Sequence, residues 1–177
     1  MQENEVIVVR YGHRIVRDYR VTTHCCLVAR ALGAKEIIVL GEEDKSLLET
    51  IKEVNKKWGS KFRVSFAKQW KNVFMKLKKK GYNFVNLTMY GLPVQKEIKR
   101  IRKNQKIAVL IGSQKVPIEV YNESNYNIAV SNQPHSEIAA LSIFLHELFQ
   151  GKELGKKYAK AKLKIIPIEK GKKIKSK

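Results

Sequence analysis

The sequence predicts an α/β protein built on a doubly wound parallel sheet. Short runs rich in Val and Ile alternate with longer amphipathic or Ala/Leu-rich stretches, the pattern of consecutive βαβ units. Two of the apolar runs stop at small or turn-forming residues: Ile107 to Ile111 at Gly112-Ser113, and Tyr126 to Val130 at Ser131-Asn132-Gln133-Pro134. No internal repeat competes with this reading.

Taken in order, Glu5 to Tyr11 is a β-branched strand. Thr22 to Leu32 reads as a helix, with Thr22 or Thr23 suited to its N-cap and Gly33 to a left-handed C-terminal cap. Glu36 to Leu40 is a buried strand, and Asp44 to Trp58 an amphipathic helix with Leu47, Leu48, Ile51 and Val54 on one face. Phe62 to Phe66 is a strand, Lys68 to Lys79 a basic helix, and Asn83 to Met89 a strand closing on Tyr90-Gly91-Leu92-Pro93. Gln95 to Lys103 is a helix; strands at Ile107 to Ile111 and Tyr126 to Val130 follow, then a helix from Ser136 to Phe149. Beyond Gly151 the composition turns Lys-rich, and the residues after Pro167 are expected to be mobile.

Lysine and arginine number 36 against 16 aspartates and glutamates, for a formal charge of +20 and a pI near 10.0. Charged surfaces that serve heat stability carry abundant Glu beside Lys, whereas this excess is one-sided, so the expected partner is a polyanion, nucleic acid first. The basic residues are spread along the chain with no dominant basic amphipathic helix, which argues against a membrane surface. No apolar run reaches the roughly 18 residues of a membrane span. The start MQENEVIVV lacks a basic stretch followed by a long apolar one, so a cytoplasmic protein is expected. The 177 residues, 44% apolar, suffice for one domain with its own core. Cys25 and Cys26 are adjacent, which disfavours a disulfide, and are expected at one buried and one half-buried helix position.

Three predicted strands thus end in small or polar loops: 87–93, 112–117 and 130–137. Ligands of open α/β sheets bind at such carboxyl ends, where small residues let the backbone approach. Neither GxGxxG nor GxxxxGK[ST] occurs, which excludes a Rossmann fingerprint and a P-loop. Pro134-His135-Ser136-Glu137 reads as a helix start, whose unpaired N–H groups suit an anion.

RYGHRIVRDYRVTTHCCLVARALGA near the N-terminus, NLTMYGLP in the middle, and GSQKVPIEVY with VSNQPHSEIAALSIFLHEL later on occur in this order over roughly residues 6 to 155. Together they resemble the archaeal tRNA cytidine 2′-O-methyltransferases that act at position 56 of the T loop, members of the SPOUT superfamily of knotted methyltransferases. The resemblance implies a knotted methyltransferase domain, taken as residues 1–155, with a trefoil knot in its C-terminal half; composition makes 156–177 a basic C-terminal extension. It also implies S-adenosylmethionine as cofactor, tRNA as substrate, and a homodimer whose active site draws on both subunits. Carried onto this chain, it places the cofactor on Leu87, on Gly112, Ser113, Gln114, Lys115 and Val116, and on Val130, Ser131, Asn132, Gln133, Pro134, His135, Ser136 and Glu137. These are the three strand ends singled out above. Leu87, Ile128 and Val130 are suited to an apolar slot for the adenine.

Ribose methylation needs a 2′-hydroxyl in line with a sulfonium methyl, so the protein's work is positioning and help with the hydroxyl proton. Related enzymes are credited with an arginine of the first motif. Its pKa is too high for a base, but it suits holding the adjacent phosphate and lowering the pKa of the hydroxyl. Arg14, Arg17 and Arg20 offer themselves at three-residue spacing, with Asp18 orienting a neighbour. Arg20 is the first choice for the catalytic residue and Arg17 the second. The superfamily's usual helix arginine is replaced by Leu27, which puts the catalytic arginine in the loop before the helix. His13 and His24 would suit general bases at neutral pH, but histidines near a helix start more often cap or pack. HExxH and paired-cysteine spacings are absent, so no metal is expected at His135, Glu137, His146 or Glu147.

Lys68, Lys71 and Lys76 to Lys80, and Lys96, Lys99, Arg100, Arg102 and Lys103, lie on predicted helices and suit either RNA phosphates or a solvated helix face, while the Lys-rich tail from Lys156 to Lys177 is the better candidate for nonspecific RNA affinity. Trp58 and Trp70 read as core or interface anchors. The helix Ser136 to Phe149 is apolar around much of its surface, which suits a subunit interface. Two alternatives stand beside methylation of cytidine 56: a noncatalytic RNA-binding protein of the same fold, and a methyltransferase for another RNA position.

Overall fold

The computed structural model describes residues 4–112 and 116–176. β1 (Glu5–Tyr11), β2 (Glu36–Leu40), β3 (Arg63–Ala67), β4 (Asn83–Pro93), β5 (Lys106–Gly112) and β6 (Tyr126–Ala129) form a parallel sheet in the order β3-β2-β1-β5-β4-β6. Alternation along the strands divides the core into two layers. Val6 and Val8 of β1 and Ile107, Val109 and Ile111 of β5 pack under α1 (Ile15–Ala31), α2 (Lys45–Trp58), α4 (Val94–Ile101) and α6 (Glu137–Phe149). Ile7, Val9, Ala108 and Leu110 face α3 (Trp70–Lys79) and α5 (Ile118–Glu123) on the other side. Among the described residues no helix is long and apolar enough to cross a membrane.

The first helix is longer than its sequence pattern suggested. It starts at Ile15 because Asp18 accepts hydrogen bonds from the Arg14 backbone N–H at 3.0 Å and from Arg14 Nε at 2.9 Å, which closes a first turn out of the charged cluster. Thr22 is accordingly no N-cap: it lies mid-helix and its hydroxyl hydrogen-bonds the Asp18 carbonyl. Nor do Arg17 and Arg20 belong to a preceding loop, since both ride on α1. The helix ends as read, with Gly33 at φ +95° just past it. Cys25 and Cys26 are both fully buried, because α1 is covered by the sheet and by α6 as well as α2. Burial pushes both thiols up to about 12.

Two further elements depart from expectation. α5 went unread because Ile118–Glu123 is short and buries Val120 as its one core residue. The C-terminal segment is not loose beyond Pro167: β7 (Leu163–Ile165) pairs antiparallel with β8 (Ile174–Ser176). This hairpin is anchored through the Lys162 N–H to the Lys57 carbonyl at 3.0 Å, and through Tyr158, whose hydroxyl donates to the Arg30 carbonyl and whose ring lies 4.9 Å from the Arg30 guanidinium.

Candidate active site

β4 does not run straight. Leu87 and Leu92 both pair with Ile128 of β6, so residues 88–91 bulge out of the ladder. Gly91 permits this: a Cβ there would stand 2.5 Å from the Asn127 carbonyl and the Ile128 nitrogen, both backbone. Asn132, in the loop after β6, holds the bulge by donating from Nδ2 to the Met89 carbonyl at 2.7 Å and to the Gly91 carbonyl at 3.1 Å. The buried Asn86 donates to Asn127 Oδ1 at 2.9 Å, and Asn127 donates to the Tyr121 carbonyl at 3.0 Å, fixing α5 against this edge.

The displaced bulge leaves a cavity of about 780 Å³ at the carboxyl ends of β4 and β5. Leu87, Met89, Gly112, Val116, Ile118 and Tyr121 line it, and the size is that of a site for a drug-sized ligand. A smaller hollow of about 230 Å³ shares Leu87, Met89 and Gly112 with it and adds Pro134, His135 and Glu137. Ser136 does not line either space; its Oγ caps α6 by accepting from the Ile138 N–H at 3.2 Å. Val130 is half-buried against the core, and Ser131 and Gln133 are exposed; Ile128 is buried in the sheet, outside both cavities. Ser113, Gln114 and Lys115 lie outside the described residues. Met89, Ile118 and Tyr121 escaped sequence reading because the bulge and α5 that present them did.

Beneath the smaller hollow sits a residue that the sequence did not single out. Arg10, at the end of β1, is completely buried; its Nη2 bonds Glu137 Oε1 at 2.8 Å and its Nη1 bonds the Gly12 carbonyl at 2.7 Å. The one signal for it was a charged residue inside an otherwise apolar strand. Arg10 Nε and Glu137 Oε2 are buried without a hydrogen-bond partner among the described residues. Burial raises the Glu137 carboxyl above its ordinary range, outweighing the opposing pull of Arg10. His13 is buried as well: its Nδ1 lies 2.8 Å from the Thr22 hydroxyl, and burial, with Arg10 adding to it, lowers its pKa. His24 is exposed on α1.

Arg17 and Arg20 are exposed on α1, and neither lines either cavity. Arg14 is tied to Asp18, whose carboxyl it holds below the usual range. Among the described residues no group of three or more His, Cys, Asp or Glu could hold a metal ion; His146 is instead paired with Glu153 at 2.7 Å.

The six-stranded parallel α/β fold is shared with SpoU/TrmH methyltransferases of known structure. AviRb from Streptomyces viridochromogenes, solved with AdoMet, superposes with a TM-score of 0.61 at 14% identity, over 86% of this chain and 59% of its own. The A. aeolicus TrmH/SpoU tRNA modifying enzyme gives 0.61 at 13% identity, over 86% and 77%. Sequence goes further. The profile described as tRNA ribose 2′-O-methyltransferase, aTrm56, matches residues 58–175. The tRNA (cytidine(56)-2′-O)-methyltransferase of Methanopyrus kandleri is 44% identical over 97% of both chains, and that of Sulfurisphaera tokodaii 51% identical over 92% of this chain and 96% of its own. The chain belongs to the tRNA ribose 2′-O-methyltransferase family.

Proposed function

We propose that the protein transfers a methyl group from S-adenosylmethionine to the ribose 2′-hydroxyl of cytidine 56 in the T loop of tRNA. The observation that carries this is a ligand-sized cavity at the strand ends of a chain whose relatives, 44% and 51% identical over nearly their whole length, bear that activity.

The residues present fit the cofactor. Leu87, Val116 and Ile118 offer apolar walls for an aromatic base, Gly112 lets backbone approach, and the adjoining hollow has the carboxylate of Glu137 for an ammonium or hydroxyl group. Bound there, the cofactor supplies an electrophilic methyl on a good leaving group. Ser113, Gln114 and Lys115 complete the assigned cofactor set together with Pro134, His135 and Glu137, whereas Val130, Ser131, Gln133 and Ser136 line neither cavity and at most shape the loop. Within that loop Asn132 acts indirectly, by fixing the bulge. Arg20, with Arg17 second, holds the phosphate beside the target ribose and lowers the pKa of its hydroxyl.

Both arginines stand outside the cofactor cavity of their own protomer, and Ile15, Val16, Val21 and Ile143 leave apolar surface exposed on α1 and α6. These observations support a homodimer in which α1 of one subunit completes the site of the other. Most of α6 is already covered within its own chain, where Phe144, Leu145 and Leu148 are buried, so Ile143 is the part of its apolar surface left for a partner. A trefoil knot is the expectation that goes with this family; in keeping with it, the β5-to-β6 connection crosses β4 in the order β5-β4-β6, and Asn132, after β6, hydrogen-bonds the β4 bulge. In this reading residues 1–155 form the methyltransferase domain of a cytoplasmic protein, and 156–177 a basic extension to it.

The test is incubation with radiolabelled S-adenosylmethionine and an unmodified tRNA transcript, followed by nuclease mapping. Label in 2′-O-methylcytidine of the T loop is expected. Cofactor binding with label elsewhere would redirect the reading to another RNA position, and no cofactor binding at all would leave a basic RNA-binding domain.

A further inference from the structure

A second hollow opens at the same edge of the sheet, across β1 from the cofactor cavity. Its volume is about 190 Å³, and Tyr11, His13, Arg14, Gly41, Lys68 and Trp70 border it at the ends of β1 to β3. Tyr11 pairs in register with Gly112, which lines the cofactor cavity, so adjacent strand ends, about 4.8 Å apart, separate the two spaces. None of the bordering residues is acidic. Trp70 is half-buried, packed edge-on against Phe74 with ring centroids 5.1 Å apart, and the Lys71 ammonium stands 5.8 Å from its ring. Lys68 is exposed, and Arg14 is oriented by Asp18 at 2.9 Å. His13 Nε2 is buried and has no hydrogen-bond partner among the described residues; the nearest carboxylate oxygen, Asp44 Oδ2, is 3.8 Å away.

We propose that this hollow receives one unstacked nucleotide of the tRNA, its base against Trp70 and its phosphate held by Lys68 and Arg14. The inference rests on the RNA-methylating function given above. A nucleotide whose ribose is to be modified leaves its stack, and single-stranded bases are taken up on aromatic faces while basic side chains track the backbone. A drug-sized ligand wants roughly 300–1,000 Å³, more than is present, whereas a single planar ring system suits the space. A rigid indole held from below by Phe74 costs little entropy to engage. A free anion would explain Lys68 and Arg14 but leaves the aromatic wall without use, and the charge of +20 on the whole chain draws an extended polyanion to this edge.

Trp58→Phe leaves Trp70 as the one tryptophan, so its emission reports the hollow directly. Emission is expected to quench on titration with unmodified tRNA transcript. Trp70→Ala and, separately, Lys68→Glu are each expected to weaken transcript binding about tenfold or more, the Trp70 figure lying within the range for losing one base–aromatic stack. Trp70→Phe should recover much of that loss. The dissociation constant for S-adenosylmethionine should stay unchanged in all three. Lys68 is exposed, so Lys68→Glu keeps its melting temperature and separates RNA contact from folding. Unchanged emission at saturating tRNA, or wild-type tRNA affinity in both Trp70→Ala and Lys68→Glu, would overturn the proposal. Failure of the wild-type protein to methylate any tRNA would instead remove the function on which it rests.

Discussion

Arg10 and Glu137 are 127 positions apart in the chain, yet their side chains meet at 2.8 Å in the interior. Arg10 lies one residue before the end of the strand that leads into the arginine-bearing helix α1, and Glu137 opens α6 at the wall of the smaller hollow. The pair thus joins the two segments that carry the proposed chemistry. A fully buried guanidinium is costly to desolvate, and its carboxylate partner with the Gly12 carbonyl offsets that cost.

Removing one partner strands the other. Arg10→Met is expected to destabilise the fold by about 3–5 kcal/mol, whereas Arg10→Met combined with Glu137→Leu should recover most of that loss. Urea unfolding of the single and double variants checks this. A double variant as unstable as the sum of the two singles would show that the groups do not act as a pair.

Two carboxylates, Glu137 and Asp18, give opposite pH dependences. Burial raises Glu137 above its ordinary value of about 4.5, so its contribution is complete below that pH and is lost as pH rises through the higher folded value. Arg14 lowers Asp18 below about 3.8, so its contribution is present above that pH and is lost as pH falls through the depressed folded value. Urea unfolding across pH should show Glu137→Gln removing the first dependence and Asp18→Asn the second.

Arg20→Ala should lower the methyl-transfer rate by about two orders of magnitude, the scale of losing one preorganised charge at a transition state, and Arg17→Ala by less. S-adenosylmethionine affinity should be unaffected, because neither residue lines the cavity. Calorimetric titration beside single-turnover kinetics separates the two effects. A parallel loss of cofactor binding would move Arg20 out of the catalytic role.

At Gly91 the constraint is steric. A methyl group there meets Asn127 and Ile128 backbone atoms at 2.5 Å, and backbone in a sheet does not yield as a side chain would. Gly91→Ala should therefore cost about 2 kcal/mol or more and reduce cofactor affinity by disturbing the Thr88–Gly91 bulge. Thermal melts with and without S-adenosylmethionine measure both; a wild-type response would mean that the bulge tolerates a wider path.

All six strands of the main sheet were legible to within a residue or two at most ends, because Val- and Ile-rich runs such as Ile107 to Ile111 have few other uses in a parallel sheet. β4 was the exception: periodicity cannot report that Leu87 and Leu92 face the same partner with four residues looped out between them. The start of α1 was missed for a different reason. Ile15 to Tyr19 is not an apolar stripe, and the turn is closed by Asp18 reaching back to Arg14, a side-chain contact that no hydrophobic count registers. The strand-end loops were singled out by their small residues, and of the residues named there Leu87, Gly112, Val116, Pro134, His135 and Glu137 line the two cavities. Arg10 was not placed, because its partner Glu137 lies 127 residues away at the start of α6.

The most direct test of the central claim uses a tRNA assembled with 2′-deoxycytidine at position 56, compared with the same tRNA carrying cytidine there. The account predicts one methyl group per molecule on the cytidine tRNA by mass spectrometry and none on the deoxy form, with both bound comparably. Methyl incorporation that persists on the deoxy form would contradict it.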